Sequence, residues 1–414
     1  MPTDTTNPVK SKAPQLPVLI AGAGPVGCCA ALYLAQAGVP VVVIEAAQEL
    51  PVDLRASTFH PPTLDLLDQL DLTERLIPQG LIVREFQFRE RSTNSAAVFN
   101  LRTLKGQTAH PYRLQCEQYK MTRTVIDLLA DYPHATVLNG KRVQGFREHG
   151  DHVDLLTFDG QKEERFTGRF LIATDGANSR IRQASGTMFP GLTYPERFLV
   201  VSTDYRFEND FHDLSWVNYI SDPEEWCVML KTPELWRVQF PTPVEMSDEN
   251  LLSDDYIQDR LKRLNAAGSP YRIGHRTLYK VHQRVAETYR VGQRTVLAGD
   301  AAHVNNPLGG MGMNGGLHDA FNLCEKLVAI IHGELDLDAG LDLYDAQRRK
   351  ICVDFIQTQT KENKRLMETA EESIQLERQR KFMEIASDTE KQKVYLRRSA
   401  MIDCIEDSYK IQAA

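Results

Sequence analysis

Two glycine-rich turns, far apart in the chain, constrain this sequence more than anything else in it. The first, Gly22-Ala23-Gly24-Pro25-Val26-Gly27, follows an apolar run over residues 16–21 and opens a stretch of small and apolar residues that Gly38 closes. The second lies beyond another apolar run: Gly299-Asp300 ends it, and Pro307-Leu308-Gly309-Gly310-Met311-Gly312-Met313-Asn314 comes next. A strand feeding a helix through such a turn predicts a right-handed β-α-β unit, in which Gly22 and Gly24 let backbone approach a phosphate and Gly27 lets helix meet strand. One such turn indicates only a dinucleotide pyrophosphate on a helix N-terminus. A second turn, aspartate first, predicts a longer ligand held at two places.

The chain has 414 residues, enough to bury a large core shared by two interlocked lobes. Its net charge of −8 and lack of a long basic block supply no cationic footprint, so no nucleic-acid partner is expected. The longest apolar stretches, such as residues 39–44 and 329–331, are too short to span a bilayer, so no transmembrane segment is expected. Residues 1–15 are polar, carry Pro2, Pro8 and Pro14, and read as a disordered tail without the pattern of an export signal. The seven cysteines, Cys28-Cys29 among them, show no metal-binding spacing and read as small core residues of a cytoplasmic protein.

Hydrophobic patterning predicts three parts of one nucleotide-binding domain at residues 16–80, 111–190 and 281–340. Residues 81–110 are β-rich, and residues 191–280 alternate apolar and polar side chains between Asp, Asn and Pro turns, which predicts an inserted antiparallel sheet. The three tryptophans, Trp216, Trp226 and Trp236, fall in that sheet, as core or as the wall of a pocket. After Asn314, the spacing Leu317, Ala320, Phe321, Cys324, Val328, Ile331 marks one apolar helix face. Residues 341–414 read as charged helices, either a solvated cap or the contact of a homodimer.

Few polar residues stand where chemistry needs them. Glu45, ending the second strand, is placed to accept hydrogen bonds from both hydroxyls of a ribose and to repel a 2'-phosphate, which fits the adenosine of FAD or NAD. Asp175, in Thr174-Asp175-Gly176, is an ordinary turn by itself and gains weight only from its position between the glycine turns. Asp300 is an acceptor-only side chain at a strand end, suited to sugar-alcohol hydroxyls such as those of a ribityl chain. The glycines over 309–316 let backbone run flat against a ring, and the helix starting there aims N–H groups and partial positive charge at it. Such a terminus stabilises an anionic reduced isoalloxazine.

In this order, GAGPVG, TDGANSRIR and GDAAHVNNPLGGMGMNGGLHDAFNL resemble the FAD-dependent aromatic hydroxylases typified by para-hydroxybenzoate hydroxylase, the single-component group A flavoprotein monooxygenases, over residues 16–350. The resemblance implies an α/β fold: a Rossmann-like FAD-binding domain of the GR2 type, an inserted antiparallel β-sheet substrate domain, and C-terminal helices. It implies that Gly22, Gly24, Pro25, Val26 and Gly27 hold the pyrophosphate and Glu45 the adenosine ribose. Arg55 would lie near ribose and phosphates, Gln118 on the ribityl side, and Asp175 in the motif tied to both FAD and NAD(P)H. Gly299 and Asp300 would bind ribityl and pyrophosphate, and Pro307 would stand near the flavin C4a edge. Gly310, Gly312, Met313 and Asn314 would line the pyrimidine end. The family commonly has two prolines and a polar residue where this chain has Asn306-Pro307 and Met311, a departure that concerns flavin motion rather than FAD binding.

The implied activity is a monooxygenase that consumes NADH or NADPH, adds O2 at flavin C4a, and passes one oxygen from the C4a-hydroperoxyflavin to a phenolic or other electron-rich aromatic or heteroaromatic ring. The flavin does the chemistry, so no catalytic side chain is expected. Tyr219, Met229 and Arg237 are the expected substrate contacts. His303 and His60 read as loop-ordering residues rather than bases, and the segment from Tyr344 to Arg349 as structural. Alternatives are a reductase or halogenase on the same scaffold, the latter without its WxWxIP loop here, and a non-catalytic FAD-binding sensor or interaction protein. The residues after Arg349 are too few for the thioredoxin-like domain of the larger phenol hydroxylases.

Overall fold

The computed structural model describes residues 15–52, 56–211, 213–222, 225–369 and 371–412. Its first layer is a parallel sheet of five strands in the order Thr295–Leu297, Phe170–Ala173, Val18–Ala21, Val41–Ile44, Ala135–Leu138. Parallel strands covered on both faces read as unbroken apolar runs, and Val18, Leu19, Ile20 and Ala21 are all fully buried. The helix Pro25–Gln36 follows the first strand, and Met311–His332 packs along it. Small residues set that approach: a Cβ on Gly316 would lie 2.7 Å from Val26 Cγ2. An antiparallel sheet of Arg142–Glu148, Val153–Phe158 and Glu163–Gly168 stands beside this layer.

The second lobe is an eight-stranded sheet in the order His303–Val304, Ile273–Val285, Gly191–Thr203, Trp236–Pro241, Cys227–Lys231, Val217–Ser221, Glu85–Glu90, Ser95–Asn100. Its pairings are antiparallel except between Val217–Ser221 and Glu85–Glu90, which run parallel because a long stretch of chain separates them. The strand Ile273–Val285 carries this sheet past the expected boundary at residue 280, and Val285 pairs with His303, immediately before the second glycine loop. Alternation gives the sheet two faces. Leu199, Val201, Ile220, Met229, Trp236, Val238 and Phe240 pack against Ile257, Leu261 and Leu264 of the helix Asp254–Leu264. Phe198, Val217, Tyr219 and Val228 face the other way and share a core with Leu308 and with Met367, Phe382 and Leu396 of the C-terminal helices.

A small sheet joins the lobes, with Arg113–Gln115 between Thr58–Phe59 and Leu81–Val83. The C-terminal helices are more deeply engaged than a solvated cap: Met367, Phe382, Leu396 and Met401 are buried, and Glu372–Ser387 lies on the strand Ser95–Asn100. Charge on the sequence hid this, because the apolar positions are sparse and follow no heptad. All seven cysteines are buried and unpaired. Among the described residues, no helix is long and apolar enough to cross a membrane.

Candidate functional site

The first glycine turn is shaped by backbone contacts on one side and open space on the other. Gly22 has φ of +105°, and a Cβ there would sit 2.5 Å from the Thr174 carbonyl oxygen; one on Gly27 would sit 2.0 Å from the Gly22 carbonyl oxygen. A Cβ on Gly24 would meet nothing within 4 Å. The helix Pro25–Gln36 begins there with no side-chain cap and no acidic residue in its first turn, leaving N–H groups and dipole for an anion. Two substitutions separate these roles. Gly27→Ala is expected to cost about 3 kcal/mol in a thermal or urea melt, the upper range of overpacking. Gly24→Ala should keep the melt of the parent and lose only dinucleotide affinity; equal melts for both variants would contradict the steric assignment.

Glu45 braces this turn, accepting from Ala23 N–H through Oε2 and from Ala47 N–H through Oε1, both at 2.8 Å. Arg55 lies outside the described residues. Asp175 accepts through Oδ2 from the N–H groups of Arg180 and Ile181 at 2.7 and 3.3 Å, so it orders the helix Arg180–Ala184. Its Oδ1 is buried without a partner, and burial pushes its pKa up.

The second turn is held from behind. Gly309 and Gly310 take φ of +100° and +66°, and the helix Met311–His332 starts after Gly310 without a side-chain cap. Asn314 is fully buried; its Oδ1 accepts from His60 N–H at 3.0 Å, and its Nδ2 donates to the carbonyls of Thr58 and Gly310 at 2.8 and 2.6 Å. His60 donates through Nε2 to the Gly309 carbonyl at 2.8 Å. Burial, reinforced by the Arg113 charge, pushes the His60 pKa down to about 3, so the ring is neutral at pH 7.

Beneath Gly299-Asp300 lies a buried ionic group. Asp319 accepts from His303 Nε2 and Arg348 Nε, each at 2.8 Å, and from the Gly299 N–H at 3.1 Å. Burial alone would raise the Asp319 pKa, but the His303 and Arg348 charges outweigh it and hold the carboxyl below its usual range. Tyr344 donates from its hydroxyl to the Leu297 carbonyl at 2.7 Å. His303 and the helix Leu337–Ile351 thus fix the turn that presents Asp300, which is itself exposed.

Between the two turns is a cavity of about 330 Å³. Gly24, Pro25, Val26 and Gln118 line it on one side, and Asp300, Pro307, Gly310, Gly312 and Met313 on the other. Gly22, Gly27, Gly299 and Asn314 stand behind these walls and shape them. Residues that the sequence did not single out complete the lining: Ser57, Thr58, Val200, Gln239, Tyr279 and Asn305. Asn305 Oδ1 and Gln239 Nε2 are buried with no hydrogen-bond partner. Gln239 was detectable in principle, two residues from Arg237 on one strand.

Of the expected substrate contacts, Arg237 lines this cavity and donates through one terminal nitrogen to Ser57 Oγ at 3.1 Å. Tyr219 lines a smaller cavity of about 40 Å³ that shares Thr58, Leu230, Gln239, Pro307 and Gly310 with the large one. Met229 does neither. It is fully buried on the opposite face of the sheet, while its neighbours Val228 and Leu230 face the smaller cavity, as a period of two requires. Trp226 and Trp236 belong to the packed cores, and no tryptophan lines either cavity.

A family model described as an FAD binding domain matches residues 15–397. The chain is 34% identical to the para-nitrophenol 4-monooxygenase of Pseudomonas sp. (strain WBC-3) over 82% of its own length and 84% of that protein's. It is likewise 34% identical to the 6-hydroxy-3-succinoylpyridine 3-monooxygenase of Pseudomonas putida (strain DSM 28022 / S16), over 84% of this chain and 88% of that one. The crystal structure of a p-nitrophenol 4-monooxygenase from Pseudomonas putida DLL-E4 superposes with a TM-score of 0.88 at 29% identity, covering 94% of this chain and 98% of the other.

Proposed function

Because this chain belongs to the family of FAD-dependent aromatic hydroxylases, we propose that its large cavity holds FAD extended between the glycine turns and that a hydroxylated aromatic ring is oxygenated beside the 307–310 loop. The protein is an FAD-dependent aromatic monooxygenase that uses NAD(P)H and O2. Bound FAD supplies the redox chemistry, taking hydride from NAD(P)H and activating O2. The residues on the walls fit that group. The open side of Gly24 and the uncapped helix at Pro25 suit a pyrophosphate, and Asp300 suits ribityl hydroxyls. The unsatisfied Asn305 Oδ1 and Gln239 Nε2 offer one acceptor and one donor to the edge of a heteroaromatic ring. Glu45 keeps a lone pair on each oxygen for ribose hydroxyls beside the amides it already serves.

The observation that carries this reading is the junction of the two cavities at Pro307, Gly310, Leu230 and Gln239. A ring seated on Val217, Val228 and Leu230 lies against apolar walls that exclude water, next to the loop expected at the flavin edge. The relatives' names support a hydroxylated six-membered ring as substrate, a nitrophenol in one case and a hydroxypyridine in the other. The buried free cysteines support a reducing, cytoplasmic setting. Purified protein should be yellow, and NAD(P)H oxidation should accelerate with phenols or hydroxypyridines, with oxygenated product matching the nicotinamide consumed. A yellow protein whose NAD(P)H oxidation ignores every such ring would sink the proposal.

A further inference from the structure

One buried charge near this junction has no place in the scheme so far. Arg113, at the start of the strand Arg113–Gln115, is 3% exposed, and its guanidinium carbon lies 4.2 Å from the centroid of the Phe86 ring. Its Nε is buried without a hydrogen-bond partner, and no described carboxylate forms an ion pair with it. Other deeply buried arginines have oxygens to serve: Arg348 has Asp319, Arg182 has the carbonyls of Ala301 and Ala177, and Arg378 has Ser221 Oγ. An unpaired guanidinium away from water is costly unless something completes its hydrogen bonds.

Arg113 also faces the right space. It lines the cavity of about 40 Å³ described above and a second one of about 20 Å³ walled by Phe86, Phe88 and Tyr395. Tyr219, Leu308 and Gly309 are common to both, so the two adjoin at the glycine loop. Among the described residues, neither lining contains an acidic side chain, and Arg113 is the sole charged group in both. Phe88 stacks on Tyr219 at 4.8 Å between ring centroids, which gives this end of the sheet flat aromatic surfaces around a cation.

We propose that Arg113 binds the oxyanion of the aromatic substrate, a phenolate or a ring-borne carboxylate, and thereby selects anionic rings over neutral rings of the same shape. The assignment rests on the monooxygenase reading for the identity of the ligand as substrate. The fork of the guanidinium suits paired or single oxygen acceptors, and among the described residues no other charged side chain lines these two cavities to compensate an anion there.

The test is ligand binding to the FAD holoenzyme, followed by perturbation of the flavin visible spectrum, which needs no turnover. The probes are 4-nitrophenol with 4-nitroanisole, and 4-hydroxybenzoate with 4-hydroxybenzamide. The holoenzyme should bind at least one anion about tenfold or more tighter than its neutral partner, the equivalent of one charge-assisted hydrogen bond. A phenolate anchor makes 4-nitrophenol affinity rise with pH through that compound's own ionisation while 4-nitroanisole stays flat; a carboxylate anchor places the gap in the second pair. Arg113→Met should bring each pair within about threefold, and Arg113→Lys should keep part of the gap. Equal weakening of all four probes in Arg113→Met, or no gap in the holoenzyme, overturns the assignment. If Arg113→Met does not retain FAD, the holoenzyme and Arg113→Lys decide by the same gap. A gap that persists while no ring accelerates NAD(P)H oxidation leaves the arginine assignment standing and defeats the monooxygenase reading instead.

Discussion

Asp319→Ala is expected to destabilise the protein by about 3–5 kcal/mol, the cost of stripping one partner from a buried ion group. The carboxylate is fully buried, and Arg348 and His303 are each about 1% exposed, so neither cation can turn to water when it is lost. The Gly299 N–H loses its acceptor at the same time, and Gly299 positions Asp300 at the cavity wall. FAD affinity should therefore fall together with the urea or thermal midpoint, even though Asp319 does not line the cavity. The paired change Asp319→Leu with Arg348→Met removes the carboxylate and the guanidinium, leaves His303 free to become neutral, and should recover part of the stability. A loss below about 1 kcal/mol for Asp319→Ala would show that water reaches the group and that its burial has been misjudged.

Acid should weaken the protein through His60. Its folded pKa near 3 lies below the ordinary value of 6.5, so between those limits the unfolded chain binds the extra proton. The contribution is complete above pH 6.5 and is lost as pH falls from 6.5 toward 3, at about 1.4 kcal/mol per pH unit. His318, also buried and held well below its usual pKa, acts in the same direction. His60→Gln isolates the His60 part, since a glutamine amide can still donate to the Gly309 carbonyl but does not titrate. Between pH 7.5 and pH 5 the parent should lose about 2 kcal/mol more than the variant in urea melts. Parallel loss in both proteins would mean that the ring takes up its proton over the same pH range in the folded and unfolded states.

The cofactor half of this molecule is legible in the sequence for a physical reason. Gly22, Gly27, Gly309 and Gly310 stand where a side chain would collide or where φ is positive, so short local strings record the geometry. The substrate half leaves no such record. Met229 and Leu230 are both apolar, and only strand register, fixed by pairing with Trp236–Pro241, decides which one faces the cavity. Arg113 sits in a three-residue strand whose partners, Thr58–Phe59 and Leu81–Val83, are remote in sequence, so nothing local distinguishes it from a surface arginine. The group of His303, Asp319 and Arg348 is assembled from three separate elements, and its members were individually visible without their contact being so.

The pairing of Val285 with His303 has a practical result for anyone exchanging substrate preferences among these enzymes. A graft cut at residues 191 and 280 would divide the strand Ile273–Val285 and leave the recipient's Gln283 and Arg284 to pair with the donor's Leu192 and Gly191, beside the strand His303–Val304 that leads into the loop carrying Pro307. Transplants that carry the whole strand Ile273–Val285 and the 303–310 stretch from the donor along with its β-region avoid that seam, and both sides of the cavity junction then come from one parent.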